Sequence, residues 1–274
     1  DYPFEARCSP RQVVCRSPMS MDAGSMTSEE VSKLMEELKL QRELAVDDGP
    51  PGYWLIDVEA LKTIVLDRPS VAFVQNTCDI CDASTDDVMY ALKHCELESG
   101  NCTTIKVSPT TLEGLFDSID TIANVLEVRG DGLISHLRGR LAQINMELEN
   151  LDKMPRPRVL SLEGLSPLCI GGNWLPDMKW AAGCVDALGD VGGCSSRIIS
   201  WEEIAESNPD ILMILPCSAS TTRTLNEIHL LASNAIFWSL KCVQKGEVYI
   251  IDHGKFSRCG PRMVEGIEMM AILF

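Results

Sequence analysis

One short unit occurs twice in the chain, and it calls for two lobes of related build. In the first copy an acidic helix begins at residues 57–62, passes through Pro69 into an apolar strand at 71–75, and reaches Cys78. In the second, residues 201–206 form the acidic helix, Pro209 follows, and the apolar run 211–215 ends at Pro216 and Cys217. A helix period giving way to a short apolar run is the pattern of an α/β layer. Two such lobes joined by a helix describe a protein that holds something in the cleft between them. That is a binding architecture before it is an enzymatic one.

The joining helix is equally plain. Leu133, Leu137, Leu141, Ile144, Leu148 and Leu151 recur at spacings of three and four, a single continuous stripe. Spanning 131–153, the helix would be about 34 Å long. Pro155 and Pro157 end it, and residues 158–162 open a new strand. The expected division is a first lobe at 1–130, a connecting helix at 131–154 and a second lobe at 155–274. Before the first repeat, Thr27 and Glu30 form a capping box for a helix carrying Val31, Leu34, Met35 and Leu38, and residues 45–52 are a loop. Residues 105–107 are a further short strand, and residues 110–113 cap a helix with Leu115, Phe116, Ile119, Ile122 and Leu126 on its apolar face. In the second lobe the pattern predicts helices at 175–184, 201–207 and 220–233, strands at 211–215 and 247–251, and a last helix opened by Pro261. Alternation of this kind implies mostly parallel sheets, whose ligands sit at the carboxyl ends of the strands.

Charge narrows the partners. With 24 basic and 40 acidic residues the net charge is −16, which argues against non-specific nucleic-acid binding and against an anionic membrane surface. No apolar run approaches the roughly 20 residues that a membrane helix needs. Of the 12 cysteines, only Cys78 and Cys81 make a CxxC, with no second pair at zinc-finger spacing. Cys169, Cys184 and Cys242 sit in apolar contexts that suit reduced structural thiols. This usage favours a reduced intracellular compartment over a periplasmic or secreted one, although an even count also permits disulfides. The opening at Asp1, without methionine or hydrophobic signal region, reads as a processed or truncated product.

Several segments, in order along nearly the whole chain, resemble the cobalamin-binding members of the periplasmic binding proteins, whose two lobes are joined by a helical backbone. They are Asp-Tyr-Pro-Phe-Glu-Ala at 1–6, the helix from Asp57, and Cys-Asp-Ile-Cys at 78–81. Next come Arg-Val-Leu-Ser-Leu-Glu at 158–163, Gly-Gly-Asn-Trp-Leu-Pro-Asp at 171–177 and Ser-Trp-Glu-Glu-Ile at 200–204. Pro-Cys at 216–217 and Phe-Ser-Arg-Cys-Gly-Pro-Arg at 256–262 complete the series. The resemblance implies two Rossmann-like lobes, a corrinoid as ligand, no intrinsic cofactor, and a monomer that delivers its ligand to an ABC permease or another partner. Family members carry a strand before the Asp-Tyr-Pro element, so the first lobe is expected to lack its opening strand. The segment from Glu59 to Pro69 is also a few residues longer than in the family.

A corrin ring is a broad, partly apolar disc with amide arms, so its binder needs aromatic faces and a few orienting polar groups. Tyr2 matches the family's Asp-Tyr-Pro element, and Phe256 with Arg258 matches its late aromatic-x-Arg segment. Gln75, Trp174 and Cys217 stand at strand ends and complete the candidate ligand set. Trp174 reads equally as a ligand contact or as a helix-start residue packed on its own lobe. Cys217 is a cleft thiol suited to cobalt or iron, or a small residue tolerated beside the backbone. Trp180 and Trp238 fall in helical patterns and are expected in the core. His253 is the histidine at a strand end, an axial imidazole or a turn residue, whereas His94, His136 and His229 read as helix-surface residues.

Cys78 and Cys81 are the weak metal or redox candidates. Glu59 and Glu202 occupy equivalent first turns of the two repeats. The resemblance implies that they dock a permease, and a plain acidic first turn accounts for both as well. No nucleophile–base pair, phosphate loop or zincin motif is present, so the reading is non-enzymatic. Three alternatives stay beside the corrinoid: a haem or iron-siderophore binder of the same fold, an intracellular interaction protein with a vestigial cleft, and a thiol redox protein.

Overall fold

The structure is a computed structural model, and it describes residues 15–16, 26–44, 55–65, 70–75, 77, 83, 85–95, 102–149, 155–217 and 219–274. The chain divides into two compact units: a smaller one of residues 1–20 and 35–108, and a larger one of residues 21–34 and 109–274.

The smaller unit begins with β1 (Cys15–Arg16); α1 (Ser28–Leu44) then runs out of the larger unit's residues into it. β2 (Leu55–Ile56) pairs antiparallel with β1, and α2 (Val58–Val65) follows, the Asp57 carboxylate accepting from the Ala60 N–H at 2.9 Å. β3 (Ser70–Val74), α3 (Thr85–His94) and β4 (Cys102–Lys106) make a βαβ unit, its strands parallel with Ser70 opposite Cys102 and Val74 opposite Lys106. β4 thus starts earlier than the strand expected at 105–107. Val65, Val74, Ala91, Leu92 and Cys95 are buried.

In the larger unit α4 (Leu112–Val125) and α5 (Asp131–Glu149) precede β5 (Arg158–Leu165) and β6 (Leu168–Ile170). α6 (Leu175–Ala181), β7 (Val185–Asp186), β8 (Arg197–Ile198), α7 (Trp201–Ser207) and β9 (Ile211–Ile214) follow. α8 (Thr221–Glu227), α9 (His229–Ala232), α10 (Ala235–Ser239), α11 (Lys241–Lys245), β10 (Val248–Ile250) and α12 (Met263–Leu273) complete it. The sheet order is β10-β9-β5-β6-β8, with β7 also on β5. β10, β9, β5 and β7 pair in parallel, while β6 and β8 add an antiparallel edge.

Alternation along the strands builds two cores. Val159 of β5 and Ile211, Met213 and Leu215 of the β9 segment join one cluster with Trp174, Met178, Phe256 and Met270. Leu160 and Leu162 with Leu212 and Ile214 join the other, with Ile204, Leu231, Phe237 and Cys242. Successive residues of a strand point to opposite faces, so near-continuous apolar runs are what a sheet covered on both sides requires.

α4 and α5 pack on the larger unit's core through Leu115, Phe116, Leu137 and Ile144. Several expectations are corrected. Leu133 begins the α5 stripe yet is exposed, and Leu151 lies outside the described residues. The helix expected at 220–233 is two, α8 and α9, and Pro261 lies in the turn before α12. Trp180 and Trp238 are not core residues: they are 62% and 58% exposed. The Arg156 guanidinium stacks on the Trp180 ring, and the Trp238 indole N–H donates to the Ala232 carbonyl. His94, His136 and His229 are exposed on helices, as expected.

Candidate functional site

The parallel strands of the larger unit end in loops that carry most of its polar candidates. β5 runs buried from Val159 to Leu162 and then presents Glu163. The Ser196 hydroxyl donates to Glu163 Oε2 at 3.2 Å, and the Ser257 hydroxyl donates to Oε1 at 3.3 Å. Ser196 Oγ in turn accepts the Gly172 N–H at 3.0 Å. A side chain at Gly171 would press on Leu175 and on the Glu163 carboxyl, and one at Gly172 would strike the backbone of residues 194–196. The glycine pair is therefore what lets this turn close over the carboxylate.

Two other loops meet it. The Cys217 N–H donates to the Glu163 carbonyl at 3.0 Å, which sets the exposed Cys217 thiol at the end of β9 beside the end of β5. The turn after β10 holds His253, whose Nδ1 lies 2.9 Å from the Ala219 carbonyl oxygen. Its Nε2 is buried and lacks a hydrogen-bond partner among the described residues. Arg258 follows Ser257 on that turn and is exposed. The structure thus gathers Cys217 and the Arg258 turn around Glu163.

Trp174 and Phe256 take another role. Both rings are buried, at 5% and 0% exposure, in the cluster with Met178, Met263 and Ile267. The Trp174 indole N–H donates to the Phe256 carbonyl at 2.5 Å. Both rings thus pack inward on their own unit. Each follows a turn that folds back onto its own sheet, so the aromatic face fills the core beneath the loops.

In the smaller unit Gln75 ends β3, partly buried, and its amide donates to the Thr77 hydroxyl at 3.0 Å. Tyr2, Cys78 and Cys81 lie outside the described residues, among which no group of three His, Cys, Asp or Glu could hold a metal ion. Glu59 and Glu202 are exposed in the first turns of α2 and α7. At α7 the capping box is formed by Ser200 and Glu203, leaving the Glu202 carboxylate outside it. Hydrogen bonds from the Ser200 backbone and hydroxyl hold the Glu203 carboxyl below the usual carboxylate range.

Sequence reasoning missed Glu163, Ser196 and Ser257 as site residues. The available signal was a lone acidic residue near the end of a mostly apolar strand, with glycine next to it.

A family model described as periplasmic binding protein matches residues 56–253. The chain belongs to the periplasmic binding protein family. Solved structures agree with that fold. An ABC transporter substrate-binding protein from Listeria monocytogenes EGD-e is 16% identical over 80% of each chain, with a TM-score of 0.64. The periplasmic heme-binding protein RhuT from Roseiflexus sp. RS-1 is 15% identical over 80% of this chain and 79% of that one, with a TM-score of 0.62. The periplasmic vitamin B12 binding protein BtuF of Vibrio cholerae is 15% identical over 80% and 77%, with a TM-score of 0.58. At such identities the likeness speaks for the fold alone. No curated protein matches the chain. As a periplasmic binding protein it has a mixed α/β fold, and among the described residues no helix is long and apolar enough to cross a membrane.

Proposed function

We propose that this periplasmic binding protein is a non-enzymatic solute binder that captures a corrinoid at the strand ends of its larger unit and delivers it to a permease. The observation that carries the reading is the polar constellation of Glu163, Ser196, Ser257, Cys217 and Arg258, drawn from β5 and three loops at the strand ends of a family fold whose ligands are small solutes. A fixed acceptor, an exposed guanidinium and a soft thiol suit a metal chelate with polar arms. Glu59 and Glu202, each exposed on a helix first turn, are the proposed contacts for permease arginines.

Haem or an iron chelate is supported equally, since the chain is similar both to RhuT and to BtuF. Titration with cyanocobalamin, hydroxocobalamin, haemin and a ferric hydroxamate under reducing conditions separates them. A saturable absorbance change and rise in melting temperature with a corrinoid, weakened by Arg258→Ala, supports the reading. Saturation by haemin or the hydroxamate alone replaces the ligand and keeps the class. No response from a cooperatively folded sample overturns the binding function and favours a protein-interaction role.

A further inference from the structure

Four hydrogen bonds close a circuit at the end of β5. The Cys217 N–H donates to the Glu163 carbonyl at 3.0 Å, and two residues on His253 Nδ1 lies 2.9 Å from the Ala219 carbonyl oxygen. The His253 carbonyl accepts the Ser257 N–H at 2.8 Å, and the Ser257 hydroxyl returns to Glu163 Oε1 at 3.3 Å. Two of the four bonds pass through His253, one at its imidazole and one at its main chain. A carbonyl oxygen only accepts, so Nδ1 carries the proton and Nε2 is the bare nitrogen. Nε2 is buried and lacks a hydrogen-bond partner among the described residues, so the polar hold of the imidazole is through Nδ1. The turn after β10 is anchored from below as well. The Phe256 ring is fully buried, its carbonyl accepts the Trp174 N–H, and the Lys255 ammonium pairs with Glu265 of α12 at 3.1 Å. The Nδ1 bond ties the turn after β9, which carries the exposed Cys217, to that anchored segment.

We infer that His253 is a positioning residue: its Nδ1–H couples the turn after β9 to the turn after β10, so that the polar groups of the two loops meet a ligand as one preformed surface. A loop that must be ordered at the moment of binding subtracts that ordering from the affinity, and a loop already held in place does not. His253 acts through the Ala219 carbonyl and the Ser257 N–H, and its role needs no contact with the ligand. The effect on affinity rests on the proposed binding function, whereas the coupling of the two turns is a property of the free protein.

Asparagine and glutamine separate this hydrogen bond from bulk. Asparagine carries its amide nitrogen directly on Cγ, where Nδ1 stands, whereas glutamine is closer to imidazole in volume but sets its amide one bond further out. Amide hydrogen exchange reads the Cys217, Ala219 and Ser257 N–H groups without any ligand. His253→Gln should speed exchange at these positions roughly fivefold to tenfold and leave the Leu212 amide of β9 unchanged. His253→Asn should bring them back to within about twofold of the wild type. Titration with cyanocobalamin, haemin and a ferric hydroxamate supplies the second readout. His253→Gln should weaken whichever chelate saturates the wild type by a similar factor, and His253→Asn should restore it. His253→Ala carries the test if His253→Gln fails to fold. Exchange that stays slow in His253→Gln, or that rises equally in His253→Asn, overturns the coupling. Faster exchange with unchanged affinity overturns the positioning role and leaves the binding function standing. A wild type that binds none of the chelates overturns the binding function and the positioning role together, while the exchange pattern still decides the coupling.

Discussion

Lys179 and Asp186 form a buried ion pair, Nζ to Oδ2 at 2.5 Å, with side chains only 1% and 6% exposed. The second oxygen of Asp186 accepts the backbone N–H groups of Leu188 and Asp190, at 2.8 and 3.2 Å. One side chain thus neutralises a lysine on α6 and orders the turn after β7. Asp186→Asn keeps an acceptor for the turn but leaves the ammonium buried and unpaired. It should cost about 3–5 kcal/mol in urea unfolding. Adding Lys179→Met should recover most of that loss, because no charge then remains in the core. A single variant within about 0.5 kcal/mol of the wild type would mean that water reaches the pair.

Phe256→Ala tests the core assignment. The ring is fully buried among Met178, Met263 and Ile267, and a side chain at Gly266 would already press on it. Removing a ring of this kind costs about 3–5 kcal/mol. A thermal melt without ligand should show the whole effect. Trp174→Phe keeps an aromatic ring and removes the N–H that the Phe256 carbonyl accepts, for a loss of about 1–3 kcal/mol. If Phe256→Ala melts like the wild type, the ring is not part of the core.

The contrast between these aromatic residues and their sequence reading has a physical basis. The strand at β9 was legible because five apolar residues between Pro209 and Pro216 leave few other options, and all five are buried. The α7 cap was legible because Ser200 and Glu203 stand at the fixed offset a capping box needs. Long-range packing was not legible. Trp174 and Phe256 touch across 82 positions of sequence, and nothing local to either says that its ring turns inward. Trp180 fell in a helical pattern, yet it faces outward under Arg156. Glu163 was hidden for the same reason. Its meaning comes from two serines on loops that only the fold brings together. The short β6 and β7 are fixed by pairing with β5, and β8 by pairing with β6, each with too few residues to show a period of its own.

Thiol chemistry should separate the cysteines by position. Cys217 is exposed, whereas burial pushes the Cys184 thiol up to about 11 and the Cys259 thiol up to about 12 from an ordinary 9.0. With an aromatic disulfide reagent at pH 8, Cys217→Ser should remove one equivalent of fast-reacting thiol, while Cys184→Ala should leave that phase unchanged. The folded state holds the Cys184 and Cys259 protons to higher pH than the unfolded chain does. Their contribution to stability is therefore complete below pH 9 and declines as pH rises from 9 towards 11 and 12. Melting temperature measured from pH 8 to 11 should fall less steeply in the Cys184→Ala/Cys259→Ala variant. An identical slope would mean that neither thiol titrates with unfolding.

At the opposite end of the pH range, Arg140 on α5 clamps Glu268 on α12 through two hydrogen bonds, Nε to Oε1 at 2.8 Å and Nη2 to Oε2 at 2.6 Å. The Arg140 hydrogen bond holds the Glu268 carboxyl below its ordinary 4.5, with the charges of Arg140, Lys255 and His136 adding to it. A depressed carboxyl contributes stability that is present above the unfolded value and is lost as pH falls through the folded one. The side chains are 30% and 34% exposed, so solvent screens the pair and its contribution should be about 1 kcal/mol. Glu268→Gln should therefore melt below the wild type at pH 7, and the gap should narrow as pH falls below 4.5 and the wild-type carboxyl protonates. A gap that stays unchanged as the solution is acidified would assign the effect to packing between α5 and α12 and not to the ion pair.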